Sequence, residues 1–321
     1  MPPAEFSSLA AAAAVLPPTR PLHLAIGMFD GVHLGHRAVL GSALAAARRD
    51  GGLAGVLTFW PHPSRLFHPQ DPTRQIQPPG LKTRLLLELH ADVVIIQPFD
   101  AEFARVAAED FLPLLQGYFP GLAAVHVGEN WRFGRGRRGD VALLGAEAAK
   151  HGLAVVSLPR VTFHGEPVSS SRIRACLEAG EIEDANAMLG CAYFSPGVVV
   201  PGRRLGRTLG FPTLNLAWEP ELAPRFGVYA VRVSGARAAA ALPAVANFGL
   251  RPTVGTAGVP LLEVHLLGAC PFGAGEELKV EWLRFLRPEQ TFANLGELRA
   301  QIARDCVGAA DFFSATNART A

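Results

Sequence analysis

Gly27-Met28-Phe29-Asp30-Gly31-Val32-His33-Leu34-Gly35-His36 is the stretch on which the reading of this chain turns. An apolar run, Leu22 to Ile26, precedes it and reads as a buried strand. Arg37 to Asp50 follows and reads as an Ala-rich helix. A strand, a glycine-rich turn and a helix start aim free backbone N–H groups and the positive helix end at whatever sits in the turn. His33 and His36 can share a face once the helix begins. Two imidazoles at that place suit a polyphosphate, because they donate hydrogen bonds where negative charge builds up in group transfer. A plain strand–helix turn does not require His-x-Gly-His.

Outward from this turn, the first half alternates strand and helix signals. Strands are predicted at Leu53 to Phe59, Asp92 to Gln97, Ala123 to Val127 and Leu153 to Leu158. Helices are predicted at Leu9 to Leu16, Leu81 to His90 and Val141 to His151, and Ala101 to Tyr118 reads as mostly helical. Such alternation predicts an α/β domain, a parallel sheet covered by helices on both faces. Ligands of such sheets sit beyond the carboxyl ends of the strands. After about Leu189 the texture changes to successive strands with little helix between. Phe194 to Val200, Gly227 to Val233, Ala240 to Ala246, Leu261 to Leu267 and Leu278 to Leu286 predict a small antiparallel β-barrel, closed by a helix over Leu295 to Cys306. The helical piece Ile182 to Gly190 reads as the linker, and the domains divide as 1–185 and 186–321.

The 321 residues suffice for two domains, and 49% hydrophobic with 18% charged residues fits a well-cored protein rather than a disordered one. A net charge of +2 makes no case for nucleic acid. The four cysteines are widely spaced, which signals neither a disulfide framework nor a zinc site and suits the cytoplasm. The apolar stretch near the N-terminus lacks a preceding cation and is followed by Pro17-Pro18, unlike a signal peptide. No apolar run reaches the ~20 residues that span a bilayer, so no membrane association is expected.

Three further loops of the first half carry chemistry. Gly128-Glu129-Asn130-Trp131-Arg132-Phe133-Gly134, followed by Arg135, Arg137, Arg138 and Asp140, offers aromatic faces, an amide and arginines. This set suits a flat heteroaromatic ligand bearing phosphate; the plainer readings are a solvated basic loop or a nucleic-acid patch. Ser169-Ser170-Ser171-Arg172-Ile173-Arg174 stands at a helix start. One serine suffices as a cap, and the remaining hydroxyls with Arg172 can cradle phosphate. Thr58-Phe59-Trp60-Pro61-His62-Pro63 is a stiff strand exit in which His62 is either structural or part of a site.

In the second half, Gly206-Arg207-Thr208-Leu209-Gly210-Phe211-Pro212-Thr213-Leu214-Asn215 is the densest feature. On an extended segment Thr213 and Asn215 point to one side, where a hydroxyl and an amide oxygen form hard ligands suited to Mg²⁺ with phosphates. Glu263 lies in the apolar strand Leu261 to Leu266. Facing a ligand, it could accept the proton of an attacking hydroxyl; periodicity alone allows it to face solvent instead.

Together these motifs resemble the bifunctional bacterial riboflavin kinase/FAD synthetase family. Gly27 to His36, Thr58 to Pro63, Gly128 to Asp140 and Ser169 to Arg174 look like its four adenylyltransferase motifs. Gly206 to Asn215, Gly227 to Ala230, Asn247 to Thr253 and Glu263 to Leu267 look like its kinase motifs. The resemblance implies a Rossmann-like nucleotidyltransferase domain and a kinase barrel. The barrel would convert riboflavin and ATP to FMN; the N-terminal domain would convert FMN and ATP to FAD and pyrophosphate, both with Mg²⁺. It further implies that Gly27, Phe29, Asp30, His33, His36, Ser170, Ser171 and Arg172 bind ATP for adenylyl transfer, with His33, His36 and Arg172 acting in catalysis. His62, Pro63, Asn130 and Arg132 would meet flavin there. In the barrel, Gly206, Arg207, Gly210, Thr213 and Asn215 would hold ATP, with Thr213 and Asn215 on the metal. Glu263, as base, and Arg287 would hold riboflavin. A monomer or weak homo-oligomer is expected, without nucleic acid.

The sequence departs from the family pattern at Met28 (usually Asn), Ser171 (usually Thr), Leu214 (usually Ala) and Gly268-Ala269 (usually Asp-Phe). None of these removes a catalytic group. Two other readings stand beside this one: a single-activity adenylyltransferase with a flavin-binding barrel, and a non-catalytic flavin sensor or RNA-binding regulator.

Overall fold

The computed structural model describes residues 2–202, 205–250 and 260–318. The chain divides into two compact units, Met1–Ser170 and Ser171–Ala321.

The first unit is built on six strands: β1 (Ala4–Phe6), β2 (Leu22–Ile26), β3 (Leu53–Trp60), β4 (Val93–Pro98), β5 (Leu122–Gly128) and β6 (Ala154–Leu158). They pair in the order β1-β4-β3-β2-β5-β6, and every pairing is parallel. Parallel strands are covered on both faces, and β2 obliges by burying all five of its residues. The helices are α1 (Leu9–Ala13), α2 (Leu34–Asp50), α3 (Pro63–Phe67), α4 (Pro79–Glu88), α5 (Phe111–Tyr118) and α6 (Val141–Lys150). Strand order runs outward from β2 in both directions, first through β3 and β4, then through β5 and β6. The crevice between the carboxyl ends of β2 and β5 is therefore the switch point where such sheets take ligands. The opening turn leaves β2 at that place, and the Gly128 loop leaves β5.

The mostly helical stretch Ala101 to Tyr118 forms in two pieces, a 3₁₀ turn, Phe103–Arg105, and α5. Asp100 accepts from the N–H of both Glu102 and Phe103, which caps a turn, and Val106 O is taken by Arg135 N–H at 2.7 Å. A short hairpin, β7 (Thr162–Phe163) with β8 (Glu166–Pro167), leads to α7 (Ser170–Ala179). Both the hairpin and β1 escape the sequence reading because they are too short to show a period.

In the second unit α7 is followed by α8 (Ile182–Leu189). Asn186 of α8 donates to Trp282 O and accepts from Tyr193 N–H, tying this helix to the strands that follow. Strands β9 (Tyr193–Val200), β10 (Leu214–Ala217), β11 (Gly227–Gly235), β12 (Leu242–Leu250), β13 (Pro260–Leu266) and β14 (Glu277–Pro288) close into an antiparallel barrel in the order β10-β13-β12-β11-β14-β9. Its interior is filled by Tyr229, Phe248 and Trp282, with Trp282 Nε1 donating to the buried Ser195 hydroxyl at 2.9 Å. A one-turn helix, α9 (Leu205–Thr208), precedes β10.

The terminal helix α10 spans Leu295–Ala318, twelve residues beyond the expected end at Cys306. Ala309 is buried against Val228, Ala230 and Val245, and Phe312 and Phe313 pack beside it, so tertiary contact carries the helix through Gly308. No described helix is long and apolar enough to cross a membrane.

Candidate active sites

In the first unit, α2 begins three residues earlier than its periodicity suggests. His33 is the N-cap, and its Nδ1 accepts the N–H of His36 at 3.3 Å. The two imidazoles stack with centroids 3.6 Å apart and an interplanar angle of 15°. Gly35 permits this, since a Cβ there would stand 3.1 Å from His33 Cε1. His36 Nδ1 is sealed from solvent without a partner among the described residues. Burial holds the His36 pKa well below the ordinary imidazole value, with the nearby His33 and Lys82 pushing the same way.

The turn itself is wound through left-handed backbone, with φ of 52° at Phe29 and 43° at Val32. For bulky and β-branched residues that conformation is strained and must be held from outside. The side chains of Phe29 and Asp30 turn inward: Phe29 is in the core, and Asp30 Oδ1 accepts Ile76 N–H at 3.0 Å. Ser170 donates from Oγ to Asp30 O at 2.8 Å, which fastens the serine loop onto the turn. Ser171 and Arg172 follow as the next residues of α7, exposed and half-buried respectively.

His62 caps α3: its Nδ1 accepts Ser64 N–H at 3.1 Å and lies 2.7 Å from the Ser64 hydroxyl. Pro63 is the first residue of that helix. Asn130 and Arg132 are exposed on the Gly128 loop, where Arg132 pairs with Asp140 at 3.3 Å. Trp131 and Phe133 stack at 4.7 Å beside them.

Sequence reading gave no role to Lys82, which is buried in α4. Its Nζ donates to Met28 O at 3.1 Å and to Thr58 Oγ1 at 2.9 Å. No sequence signal marks it, because a lysine on an amphipathic helix ordinarily lies on the wet face.

In the barrel, Asn215 stands directly opposite Glu263 on β10 and β13, and Glu263 stands opposite Asn247 on β12. Paired residues across antiparallel strands project to one face. Leu262, Val264 and Leu266 alternate into the core, so Glu263 and its row lie on the other face. Asn215 is buried, and its Oδ1 has no partner among the described residues. Thr213 precedes β10 by one residue, and a Cβ on Gly206 would stand 3.3 Å from Thr213 Oγ1 while colliding with Phe211 O. Only glycine lets the loop fold back this tightly, a close approach completed by Phe211 N–H donating to Gly206 O and Gly210 N–H to Arg207 O. His265, two positions along the face from Glu263, pins the loop through an Nδ1 contact with Pro212 O at 2.8 Å. Sequence reasoning missed it for want of the register.

Arg287 on β14 is held bidentately by Asp305 of α10, both bonds 2.8 Å. An open cavity of about 880 Å³ lies at this corner, lined by Glu289, Thr291, Phe292, Gln301 and Arg304 among others. Of the motif Asn247 to Thr253, Arg251, Pro252 and Thr253 lie outside the described residues.

A FAD synthetase family model matches residues 17–172, and a riboflavin kinase model matches 189–313. The bifunctional riboflavin kinase/FMN adenylyltransferase of Escherichia coli K12 is 38% identical over 294 residues, covering 91% of this chain and 93% of that protein. The Bacillus subtilis 168 protein of the same description is 33% identical over 300 residues, covering 91% and 92%. A crystal structure described as a macrolide-efflux protein from Streptococcus pneumoniae superposes with a TM-score of 0.82 at 26% identity, covering 95% of this chain and 97% of that one. With both catalytic modules matched in sequence order along one polypeptide, the chain belongs to the family of bifunctional riboflavin kinase/FMN adenylyltransferases.

Proposed function

We infer that the two activities of the family are carried by two separate residue sets. The barrel set serves riboflavin phosphorylation, and the switch-point set serves FMN adenylylation. The observation that carries the reading is the row Asn215–Glu263–Asn247 across three adjacent strands, with the buried amide oxygen of Asn215 lacking a partner among the described residues. A buried carbonyl without a partner is costly unless a ligand completes it. The adenylyltransferase domain is assigned to 1–185 and the kinase domain to 186–321; in support, the matched models end at 172 and begin at 189, so this division falls in the unmatched stretch.

In the kinase step Glu263 accepts the proton of the ribityl hydroxyl as that oxygen attacks the γ-phosphoryl group of ATP, whose bond to the bridging oxygen breaks and releases ADP. Gly206, Arg207 and Gly210 give the loop its close approach to the phosphates. Mg²⁺ fits this donor set: Thr213 and Asn215 supply oxygens, and hard cations prefer oxygen. It would neutralise phosphate charge there. Among the described residues no cluster of three or more His, Cys, Asp or Glu gathers, so such an ion would depend on these neutral oxygens and the nucleotide. Arg287 would hold riboflavin from the barrel.

In the adenylyl step the FMN phosphate is already an anion, so no protein nucleophile or base is required. Catalysis is alignment and charge stabilisation. His33 and His36 meet the triphosphate at the turn, with the backbone of Gly27, Phe29 and Asp30 around it. Ser170, Ser171 and Arg172 stabilise the departing pyrophosphate. Asn130, Arg132, His62 and Pro63 flank the flavin side, with Trp131 and Phe133 as aromatic support. The substrates are ATP, riboflavin and FMN; we expect a cytoplasmic protein, monomeric or weakly self-associating, without nucleic acid.

The deciding experiment follows products with time from riboflavin, ATP and Mg²⁺. FMN should appear first and FAD after it. Conversion of supplied FMN to FAD, with no FMN formed from riboflavin, would instead identify a single-activity adenylyltransferase. Tight flavin binding without ATP turnover would identify a sensor.

A further inference from the structure

The left-handed turn at the first site is strained at two non-glycine residues, Phe29 and Val32, and something must hold it. Arg37 Nε binds Val32 O at 3.1 Å from one side. From beneath, the carbonyl of Met28 receives two donors: the Thr58 hydroxyl at 2.9 Å and the Lys82 ammonium at 3.1 Å. Lys82 also reaches Thr58 Oγ1 at 2.9 Å, so the three atoms close a triangle under the turn. A lysine is almost never fully buried without cause, yet Lys82 is 2% exposed. Burial pushes its pKa down to about 8, with the charge of Asp30 pulling the other way, so it remains a cation at neutral pH. A neutral donor would tie the carbonyl as well; a buried cation adds an electrostatic reason for a polyanion to settle on the far side of the turn.

We propose that Lys82 is a positioning residue for adenylyl transfer, its ammonium fixing the strained Met28–Val32 turn through Met28 O and Thr58 Oγ1 so that backbone and imidazoles meet the nucleotide triphosphate. It acts through the turn rather than by contact with the reacting atoms. The inference rests on the assignment of that turn to ATP in the preceding subsection.

The test uses the full chain with Lys82→Met, which keeps the stem and removes the charge, and Thr58→Val, which removes the donor to Met28 O and the acceptor for Lys82 with little change of volume. In Lys82→Met, FMN-to-FAD conversion should fall by about tenfold or more. The loss should fall on kcat and on KM for ATP, with KM for FMN unchanged. Riboflavin phosphorylation should continue at the parental rate. Thr58→Val should show the same split in smaller measure. The NMR titration of His36 should move to higher pH in Lys82→Met, because a neighbouring cation is gone. Parental FAD synthesis in Lys82→Met would overturn the inference. So would equal loss toward ATP and FMN in Thr58→Val, which would mark a merely structural role even if Lys82→Met failed to fold. Should His36→Ala also leave FAD formation intact, the assignment of the turn itself would be at fault; should His36→Ala stop it while Lys82→Met does not, only the role of Lys82 would be.

Discussion

Asn215 and Glu263 face each other across the β10–β13 ladder, a buried amide beside a carboxylate on the side of the sheet away from the barrel core. The register brings together residues 48 positions apart in the chain and sets an amide beside a carboxylate.

If Glu263 is the base, Glu263→Gln removes proton acceptance while keeping shape and hydrogen-bonding capacity. Riboflavin phosphorylation should drop by about 10² or more, with FMN-to-FAD conversion unchanged. Separate rate measurements starting from riboflavin and from FMN check this, and parental phosphorylation would remove Glu263 from the mechanism.

His36→Ala should give the opposite pattern. FAD synthesis should fall by roughly 10²-fold, the usual scale for losing one charge-stabilising donor, while FMN still accumulates. Loss of both activities would point to unfolding rather than chemistry, which a thermal melt of the variant distinguishes.

Asn215→Leu separates stability from function. The substitution deletes a buried carbonyl oxygen without a partner among the described residues, which should stabilise the protein by about 1 kcal/mol. If Asn215 holds the metal and nucleotide, the kinase reaction should nevertheless be lost. Denaturant melts and phosphorylation assays should therefore move in opposite directions.

Acid should weaken the first unit through His126. Its ring is buried, lies 5.8 Å from the His23 ring and bonds the Ser42 hydroxyl at 2.9 Å. Burial, then His23, then Arg49 lower its pKa from 6.5 to about 4. The unfolded imidazole thus takes up a proton first as pH falls. Its contribution to stability is full above about pH 6.5 and is lost progressively between 6.5 and about 4. The thermal midpoint should fall across that window, and His126→Gln should flatten the dependence.

Asp305→Ala strands the Arg287 guanidinium, which is 15% exposed against 6% for its partner carboxylate. Breaking a pair this deeply set should cost about 3 kcal/mol and loosen α10 from the barrel. Hydrogen exchange in α10 should rise, with FAD synthesis from FMN retained.

The linear chain determined the order of the halves, the change from alternating helix and strand to successive strands, and the family motifs. These are local properties: hydrophobic period, turn residues and short motifs are written in neighbouring positions. His33 and His36 were legible because three residues of spacing suffice to join them. The tertiary structure decided the rest. Periodicity alone pointed Glu263 away from the core, and strand pairing sets it there beside Asn215 and Asn247. Lys82 sits 54 residues from the carbonyl it holds, and no local pattern distinguishes it from a solvated lysine. α10 outran its expected end because Ala309 is buried on the barrel, and between the two helical pieces of Ala101 to Tyr118 the carbonyl of Val106 takes the N–H of Arg135. Spacing along the chain specifies neighbours within a turn or a strand; partners farther apart are chosen by burial and backbone pairing, which exist only once the chain has folded.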